Sequence, residues 1–286
     1  MALSPRGGTI REPKRPEGWT PPGPEPAGRM NRPDLDPAEG EDLCFLTGHW
    51  RIFQRLKGHR YSLDDVMTAW YAARQVEERQ IHRAADIGCG IGSVLMMMAW
   101  RLQETRFVGV EAQDISVDLA ERSILFNGIE GRVEVRHGDL REASMVPEGA
   151  VFDLVTGTPP YIPVGDGVMS KREQCGPCRF EIRGGVEDYC LTAARLLVPG
   201  GLFVVCQASA QRPRVEAAAR AAGLDILKFR EIVPREGRAP LFTVFSMTPA
   251  APENPQPVCE DPFMVRDAAG GRTSEYLAVR RDMGMP

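Results

Sequence analysis

The stretch Arg83-Ala84-Ala85-Asp86-Ile87-Gly88-Cys89-Gly90-Ile91-Gly92 decides the fold. A short apolar run ends on Asp86, and glycine then stands at every second position. Glycine lets a backbone turn tightly and approach a ligand with no Cβ in between. The pattern predicts a strand near 84–88 and a helix near 93–103. Working outward, strands are expected near 106–111, 132–137, 151–156, 201–207, 224–232 and 240–248. Helices are expected near 114–127, 186–197 and 211–222, with Pro199-Gly200-Gly201 separating a helix from its strand. Such alternation implies an α/β chain, a doubly wound sheet with helices on both faces. Ligands bind beyond the carboxyl ends of strands in sheets of this kind.

Two acids end the next strands. Glu111 follows Phe107-Val108-Gly109-Val110, where a carboxylate can accept both hydroxyls of a ribose. Asp139, in His137-Gly138-Asp139-Leu140, can accept the amino group of an adenine resting near Leu140. Either acid alone also reads as a solvated strand-end carboxylate, but their joint spacing argues against that. A nicotinamide dinucleotide also uses a glycine turn followed by an acid. Here Gly88-x-Gly90-x-x-Ser93 lacks the third glycine of that fingerprint. S-adenosylmethionine has no pyrophosphate to cradle and is the favoured cofactor. Its candidate contacts are Asp86, Gly88, Gly90, Gly92, Glu111, Asp139 and Leu140.

Thr158-Pro159-Pro160-Tyr161 stands where the apolar strand Val151-Phe152-Asp153-Leu154-Val155 runs out. Proline fixes φ and removes a backbone donor, leaving carbonyls to accept hydrogen bonds. An exocyclic amino group on a heteroaromatic ring is a poor nucleophile, because the ring delocalises its lone pair. The Thr158 hydroxyl and Pro159 carbonyl are placed to accept its N–H groups. Tyr161 is placed to stack the base, worth about 1–3 kcal/mol. Thr158, Pro159, Pro160 and Tyr161 are therefore the candidate catalytic residues, although the quartet also reads as a turn after a strand.

With these residues in place, the chain resembles class I S-adenosylmethionine-dependent amino-methyltransferases, which usually read Asn-Pro-Pro-Tyr or Asp-Pro-Pro-Tyr. The leader Gln54-Arg55-Leu56-Lys57-Gly58-His59-Arg60-Tyr61-Ser62-Leu63-Asp64 is similar to the opening motif of bacterial tRNA (adenine-N6)-methyltransferases. Those enzymes modify the adenosine beside the anticodon of a valine tRNA. The resemblance covers roughly residues 45–248. It implies a Rossmann-like seven-stranded sheet with an antiparallel last strand, S-adenosylmethionine as cofactor, and RNA as partner. Thr158 departs from the pattern, with a shorter hydroxyl side chain that still accepts one hydrogen bond. Tyr61 and Asp64 of the leader are expected to close over the cofactor. Alternatively, Ser62 only caps its helix and Asp64 only complements the helix dipole. The expected activity is methyl transfer to an exocyclic amino nitrogen, adenine N6 in tRNA or another RNA. A protein glutamine N5-methyltransferase also reads PPY, but only about forty ordered residues precede the first core strand, too few for the usual helical substrate domain. A third alternative is a non-catalytic S-adenosylmethionine- or RNA-binding scaffold, supported by Thr158 alone.

The polar run 162–185 suits a substrate lid, in which Lys171, Arg172, Arg179 and Arg183 would meet phosphates and Phe180 would wedge or stack. It also reads as a solvated surface. Only four of the 35 basic residues are lysine, so arginine clusters alone are weak evidence for phosphate binding. Cys175-Gly176-Pro177-Cys178 has the spacing of a dithiol centre or half a zinc site, but no second CxxC or nearby histidine pair completes it. No metal is expected. His59, His82 and His137 are assigned structural roles, with His59 near the cofactor.

A net charge of −4 gives no global pull toward nucleic acid. No apolar run reaches membrane-spanning length. Seven cysteines, with Cys89 in the turn and Cys206 in a strand, suit reduced thiols in the cytoplasm. Residues 1–42 are expected to be a disordered tail, since residues 1–40 hold nine prolines and six charges of each sign. A plainer alternative for that stretch is that translation starts at Met30, which leaves the start codon open between Met1 and Met30. Residues 43–82 would form the leader and its helix, 83–248 the methyltransferase domain, and 249–286 a linker and C-terminal hairpin. That hairpin would pair Phe263-Met264-Val265 with Tyr276-Leu277-Ala278-Val279 around Ala268-Ala269-Gly270-Gly271.

Overall fold

A computed structural model describes residues 2–12, 15–145, 151–166, 174–249 and 256–286. The chain opens with a four-stranded sheet in the order β1 (Ala2–Leu3), β2 (Thr9–Ile10), β3 (Glu41–Thr47), β4 (Trp50–Arg55). Then follow α1 (Leu63–Gln75), β5 (Arg83–Ile87), α2 (Ser93–Arg101), β6 (Arg106–Glu111), α3 (Asp114–Asn127), β7 (Val133–His137) and β8 (Phe152–Gly157). The second half adds α4 (Cys175–Arg179), α5 (Val186–Leu196), β9 (Leu197–Ala208), α6 (Arg212–Ala221), β10 (Leu224–Val233) and β11 (Phe242–Pro249). The chain finishes with β12 (Val258–Cys259), β13 (Phe263–Met264) and α7 (Ser274–Asp282).

The main sheet runs β7-β6-β5-β8-β9-β11-β10, with β11 antiparallel to both neighbours. This is the expected seven-stranded, doubly wound order. Two short strands, β12 and β13, add to the outer edge of β10 in parallel. The chain reverses its direction of travel across the sheet between β5 and β8. The crevice beyond their carboxyl ends is therefore the place for a ligand.

Side chains of β9 show how the sheet is packed. Leu202, Val204 and Cys206 join a core cluster with α1 and α2, whereas Phe203 and Val205 join another with α5 and α6. A strand covered on both faces reads as an unbroken apolar run. The same logic applies to α2, whose residues Ser93 to Trp100 are all buried. It lies against α1, the sheet and β3. At the start of α1 the Ser62 N–H donates to the Asp65 carboxylate at 2.8 Å, as expected of a capping box. α5 ends at Leu196 and β9 begins at Leu197, so Pro199-Gly200-Gly201 lies inside the strand rather than before it.

Two expectations at the chain ends are corrected. Residues expected to be a disordered tail are held against the body. Leu35 is 1% exposed, and Arg122 of α3 donates to the Asp34 and Asp36 carbonyls at 2.9 and 3.0 Å and to the Glu41 carboxylate. Hydrogen bonds to the backbone thus do what the sparse apolar side chains cannot. The C-terminal hairpin is only partly as expected: an antiparallel bridge between Arg266 and Arg272 closes the turn around Ala268 to Gly271, but Tyr276 to Val279 lie in α7 and not in a strand. The Thr273 hydroxyl caps that helix by accepting the Tyr276 N–H, Glu275 stands in its first turn and Arg280 and Arg281 in its last.

Candidate active site at the glycine turn

β5 delivers the chain into Gly88, Gly90 and Gly92, all with positive φ. The turn is fixed from below by Asp86, which is 3% exposed and accepts the Thr156 hydroxyl at 2.8 Å. Burial pushes the Asp86 carboxyl up to about 7, against the Thr156 hydrogen bond. Gly88 is required on two grounds. Its φ is +65°, and a Cβ there would lie 2.0 Å from the Tyr189 hydroxyl. Gly92, at φ +81°, serves as N-cap of α2, where a Cβ would lie 3.3 Å from that of Ala120.

Across the turn, Glu111 accepts the Gly90 N–H at 2.9 Å and the Gln113 N–H at 2.8 Å. Burial raises its carboxyl despite these bonds. Asp139 behaves differently. The Arg141 guanidinium donates to both its oxygens, at 2.9 and 2.6 Å, and holds its carboxyl below the usual range. Leu140 beside it is buried.

A cavity of about 530 Å3 joins these groups to the prolyl quartet. Gly88, Gly90, Glu111, Asp139, Leu140, Thr158, Pro159, Pro160, Tyr161, Asp64, Arg179 and Arg183 all line it. The Tyr161 hydroxyl lies 3.3 Å from Asp64 Oδ2 and 3.1 Å from Cys206 Sγ. Gln207 donates to the Pro160 carbonyl at 3.3 Å, and Gln211 to the Tyr161 carbonyl at 2.5 Å.

Not every candidate faces the cavity. Tyr61 does not line it. Its hydroxyl donates to the Phe45 carbonyl and its N–H to Gln54, which ties the leader to the small sheet. Asp86 and Gly92 act beneath the turn rather than on the wall. Phe180 is 3% exposed and cannot wedge a base, because its backbone bridges Ile162 and the ring is packed inside. Arg183 acts electrostatically on Glu111 and Asp139, on the cofactor side of the cavity. Lys171 and Arg172 lie outside the described residues.

Sequence reasoning missed several groups. Asp65, whose carboxylate caps the start of α1, also lines the cavity and accepts the Ser93 hydroxyl at 2.7 Å. Burial and the Asp64 charge raise its carboxyl. Cys178 is a free thiol on the cavity wall, accepting from the Gln113 amide at 3.4 Å. It also acts electrostatically on His59. Burial alone would lower the His59 pKa, but Cys178, Asp65 and Asp64 outweigh it and raise it to about 9. The CxxC spacing drew attention to Cys178 but not to this partner. Among the described residues no group of three or more histidine, cysteine or acidic side chains is placed to hold a metal.

The donor set fits S-adenosylmethionine. Asp65, Asp86 and Glu111 are 6%, 3% and 7% exposed, and burial disfavours the charge on each. A bound sulfonium and ammonium would stabilise all three carboxylates.

Sheet order, glycine turn and cavity together define the Rossmann-like fold of class I S-adenosylmethionine-dependent methyltransferases. Residues 84–164 match the family described as a methyltransferase domain, which implies S-adenosylmethionine as cofactor. The chain is 31% identical over 152 residues to a release factor glutamine methyltransferase of Mycobacterium leprae, a match covering 49% of this chain and 50% of that protein. The chain thus spans about half the length of that relative. It is 22% identical over 198 residues to a tRNA1(Val) (adenine(37)-N6)-methyltransferase of Haemophilus influenzae, covering 69% of this chain and 81% of that one. A solved structure of a predicted O-methyltransferase from Agrobacterium tumefaciens shares the fold, with a TM-score of 0.60, 19% identity, and coverage of 78% of this chain and 98% of that one. No helix among the described residues is long and apolar enough to cross a membrane.

Proposed function

We propose that the protein transfers a methyl group from S-adenosylmethionine to an exocyclic amino nitrogen, adenine N6 in tRNA or another RNA. One observation carries the reading. Of the acceptors on the prolyl quartet, the Pro160 and Tyr161 carbonyls are taken by Gln207 and Gln211. Among the described residues, the Thr158 hydroxyl and the Pro159 carbonyl have no such partner. Two open acceptors on a rigid turn beside a stacking ring match an amino group with two N–H donors.

The cofactor supplies an electrophilic methyl on a sulfonium. The chain's own residues do the positioning. Thr158 and Pro159 localise the amine lone pair and aim it into the cavity. Tyr161 holds the ring plane, and its hydroxyl is fixed by Asp64 and Cys206. Alignment of this kind supplies most of the acceleration in a bimolecular transfer. The nitrogen loses its proton after the N–C bond forms, so no strong base is required.

A protein amide poses the same chemical problem, and four relatives are named as release factor glutamine methyltransferases. Residues 41–55 form paired strands rather than a helical substrate domain, which favours the RNA reading. The test is transfer from methyl-labelled S-adenosylmethionine to a tRNA transcript, followed by nucleoside mass spectrometry. N6-methyladenosine is expected. Label confined to glutamine in protein, with none in RNA, would overturn the proposal.

A further inference from the structure

We infer that Tyr189 is a cofactor-binding residue, whose hydroxyl donates a hydrogen bond to a ribosyl oxygen of S-adenosylmethionine from the wall of the cavity. The inference rests on the cofactor and holds whether the methyl acceptor is RNA or protein. Tyr189 stands on α5, where Val186, Cys190, Ala193 and Leu196 complete a buried stripe against the sheet. That stripe also reads as core alone, with Tyr189 as one more packed ring. The room made for the ring and the state of its hydroxyl argue otherwise. Gly157 ends β8 and pairs with Ile87 of β5. Its φ is not positive, yet a Cβ there would lie 2.7 Å from Tyr189 Cδ1. A Cβ on Gly88 would lie 2.0 Å from the Tyr189 hydroxyl. The ring thus passes the carboxyl end of β8 and brings its oxygen to the glycine turn, in the crevice between β5 and β8.

Tyr189 is 5% exposed and lines the cavity. Among the described residues its hydroxyl has no hydrogen-bond partner. A buried hydroxyl without a partner is a net cost to folding, and phenylalanine would fill the same space without it. Burial, and then the Glu111 charge, hold the phenol well above its usual range, so it keeps its proton and is a donor at neutral pH. Glu111 supplies the complement. Its two oxygens accept the Gly90 and Gln113 N–H groups, one each, and retain lone pairs. A ribose hydroxyl has one hydrogen to give and lone pairs to fill. Glu111 accepts that hydrogen and Tyr189 donates to the oxygen. The other polar groups of the cofactor fit less well. Its sulfonium and ammonium are cations and accept no hydrogen bond, and its carboxylate would be repelled by the buried Glu111 and Asp86 charges that act on Tyr189.

The experiment is calorimetry of S-adenosylhomocysteine and of its 2′-deoxyribosyl and 3′-deoxyribosyl analogues on wild type and Tyr189→Phe, with no methyl acceptor present. Melting curves of both proteins without ligand accompany it. Tyr189→Phe should bind S-adenosylhomocysteine about three- to tenfold more weakly. One deoxy analogue should lose affinity for wild type, and its loss should be smaller in Tyr189→Phe, which no longer makes that bond. Without ligand the variant should melt no lower than wild type, since the change removes an unpaired buried group. Equal affinity of the two proteins for S-adenosylhomocysteine overturns the inference. So does a variant that melts lower without ligand and whose analogue losses match those of wild type, because the hydroxyl then serves the fold. Both of those results leave the proposed methyl transfer standing. Wild-type protein with no affinity for S-adenosylhomocysteine overturns the inference together with the cofactor on which it rests.

Discussion

The Tyr161 hydroxyl and Asp64 Oδ2, 97 residues apart in sequence, stand 3.3 Å apart across the cavity. The contact ties the turn after β8 to the first turn of α1. It lets the cofactor side and the acceptor side share one wall.

Tyr161 therefore has two separable functions. Tyr161→Phe keeps the ring and loses hydrogen bonds worth about 1 kcal/mol, so kcat should fall several-fold. Tyr161→Ala also loses stacking of about 1–3 kcal/mol, lowering kcat/KM for the acceptor roughly 5- to 150-fold further. Cofactor affinity should be unchanged in both. Steady-state kinetics with calorimetry checks this, and equal losses in the two variants would show that the ring does not stack the base.

Gly88→Ala should be far more damaging than its size suggests. A β-carbon at φ +65° costs about 1–2 kcal/mol and would press on the Tyr189 hydroxyl 2.0 Å away. A lower melting temperature and lost cofactor binding are expected. Gly90→Ala, where a Cβ meets nothing, should melt closer to wild type.

The core strands were legible because strands covered on both faces read as apolar runs, and α3 falls on the residues expected for it. The ends were not legible. Residues 34–41 are held by Arg122 reaching backbone carbonyls, and no local pattern announces that. In α7 an apolar quartet looked like a strand, while the Thr273 cap and the charges around it decide for a helix. Glycine turn and prolyl quartet were visible as motifs. Gln207, Gln211 and Arg214 were not, since each acts through a contact between segments distant in sequence. Phe180 and Tyr61 were misplaced because a backbone bridge and a hydrogen bond to the small sheet aim their side chains.

Asp86 gives the protein a pH dependence of defined sign. Its carboxyl is raised from 3.8 to about 7 in the folded protein. A raised acid contributes stability fully below its unfolded value, and loses it as pH rises through the folded value. Asp86→Asn keeps an acceptor for Thr156 and does not titrate. The variant's melting temperature should gain on wild type between about pH 4 and about pH 7, then level off. A cationic cofactor favours the carboxylate, so wild-type cofactor affinity should climb as pH rises toward about 7 and then level off. Parallel melting curves for the two proteins across that range would show that Asp86 does not titrate there.

Arg214 braces the acceptor platform from a distance. It donates to Glu181 at 2.6 and 2.8 Å, to Glu187 at 2.6 Å and to the Gln211 side-chain oxygen at 2.9 Å, and Gln211 in turn holds the Tyr161 carbonyl. Arg214→Gln leaves Glu181, only 8% exposed, without its partner. The loss should be about 2–3 kcal/mol, below that of a fully enclosed pair because Arg214 is partly solvated. The expected signature is a lower kcat with cofactor affinity retained. Denaturation and kinetics together check it.

A crystal structure with bound S-adenosylhomocysteine tests the account most directly. The ligand should lie in the cavity between Glu111 and Leu140, with its sulfur facing Thr158 and the Tyr161 ring. A ligand seated away from the glycine turn, or a Tyr161 ring turned out of the cavity, would contradict it.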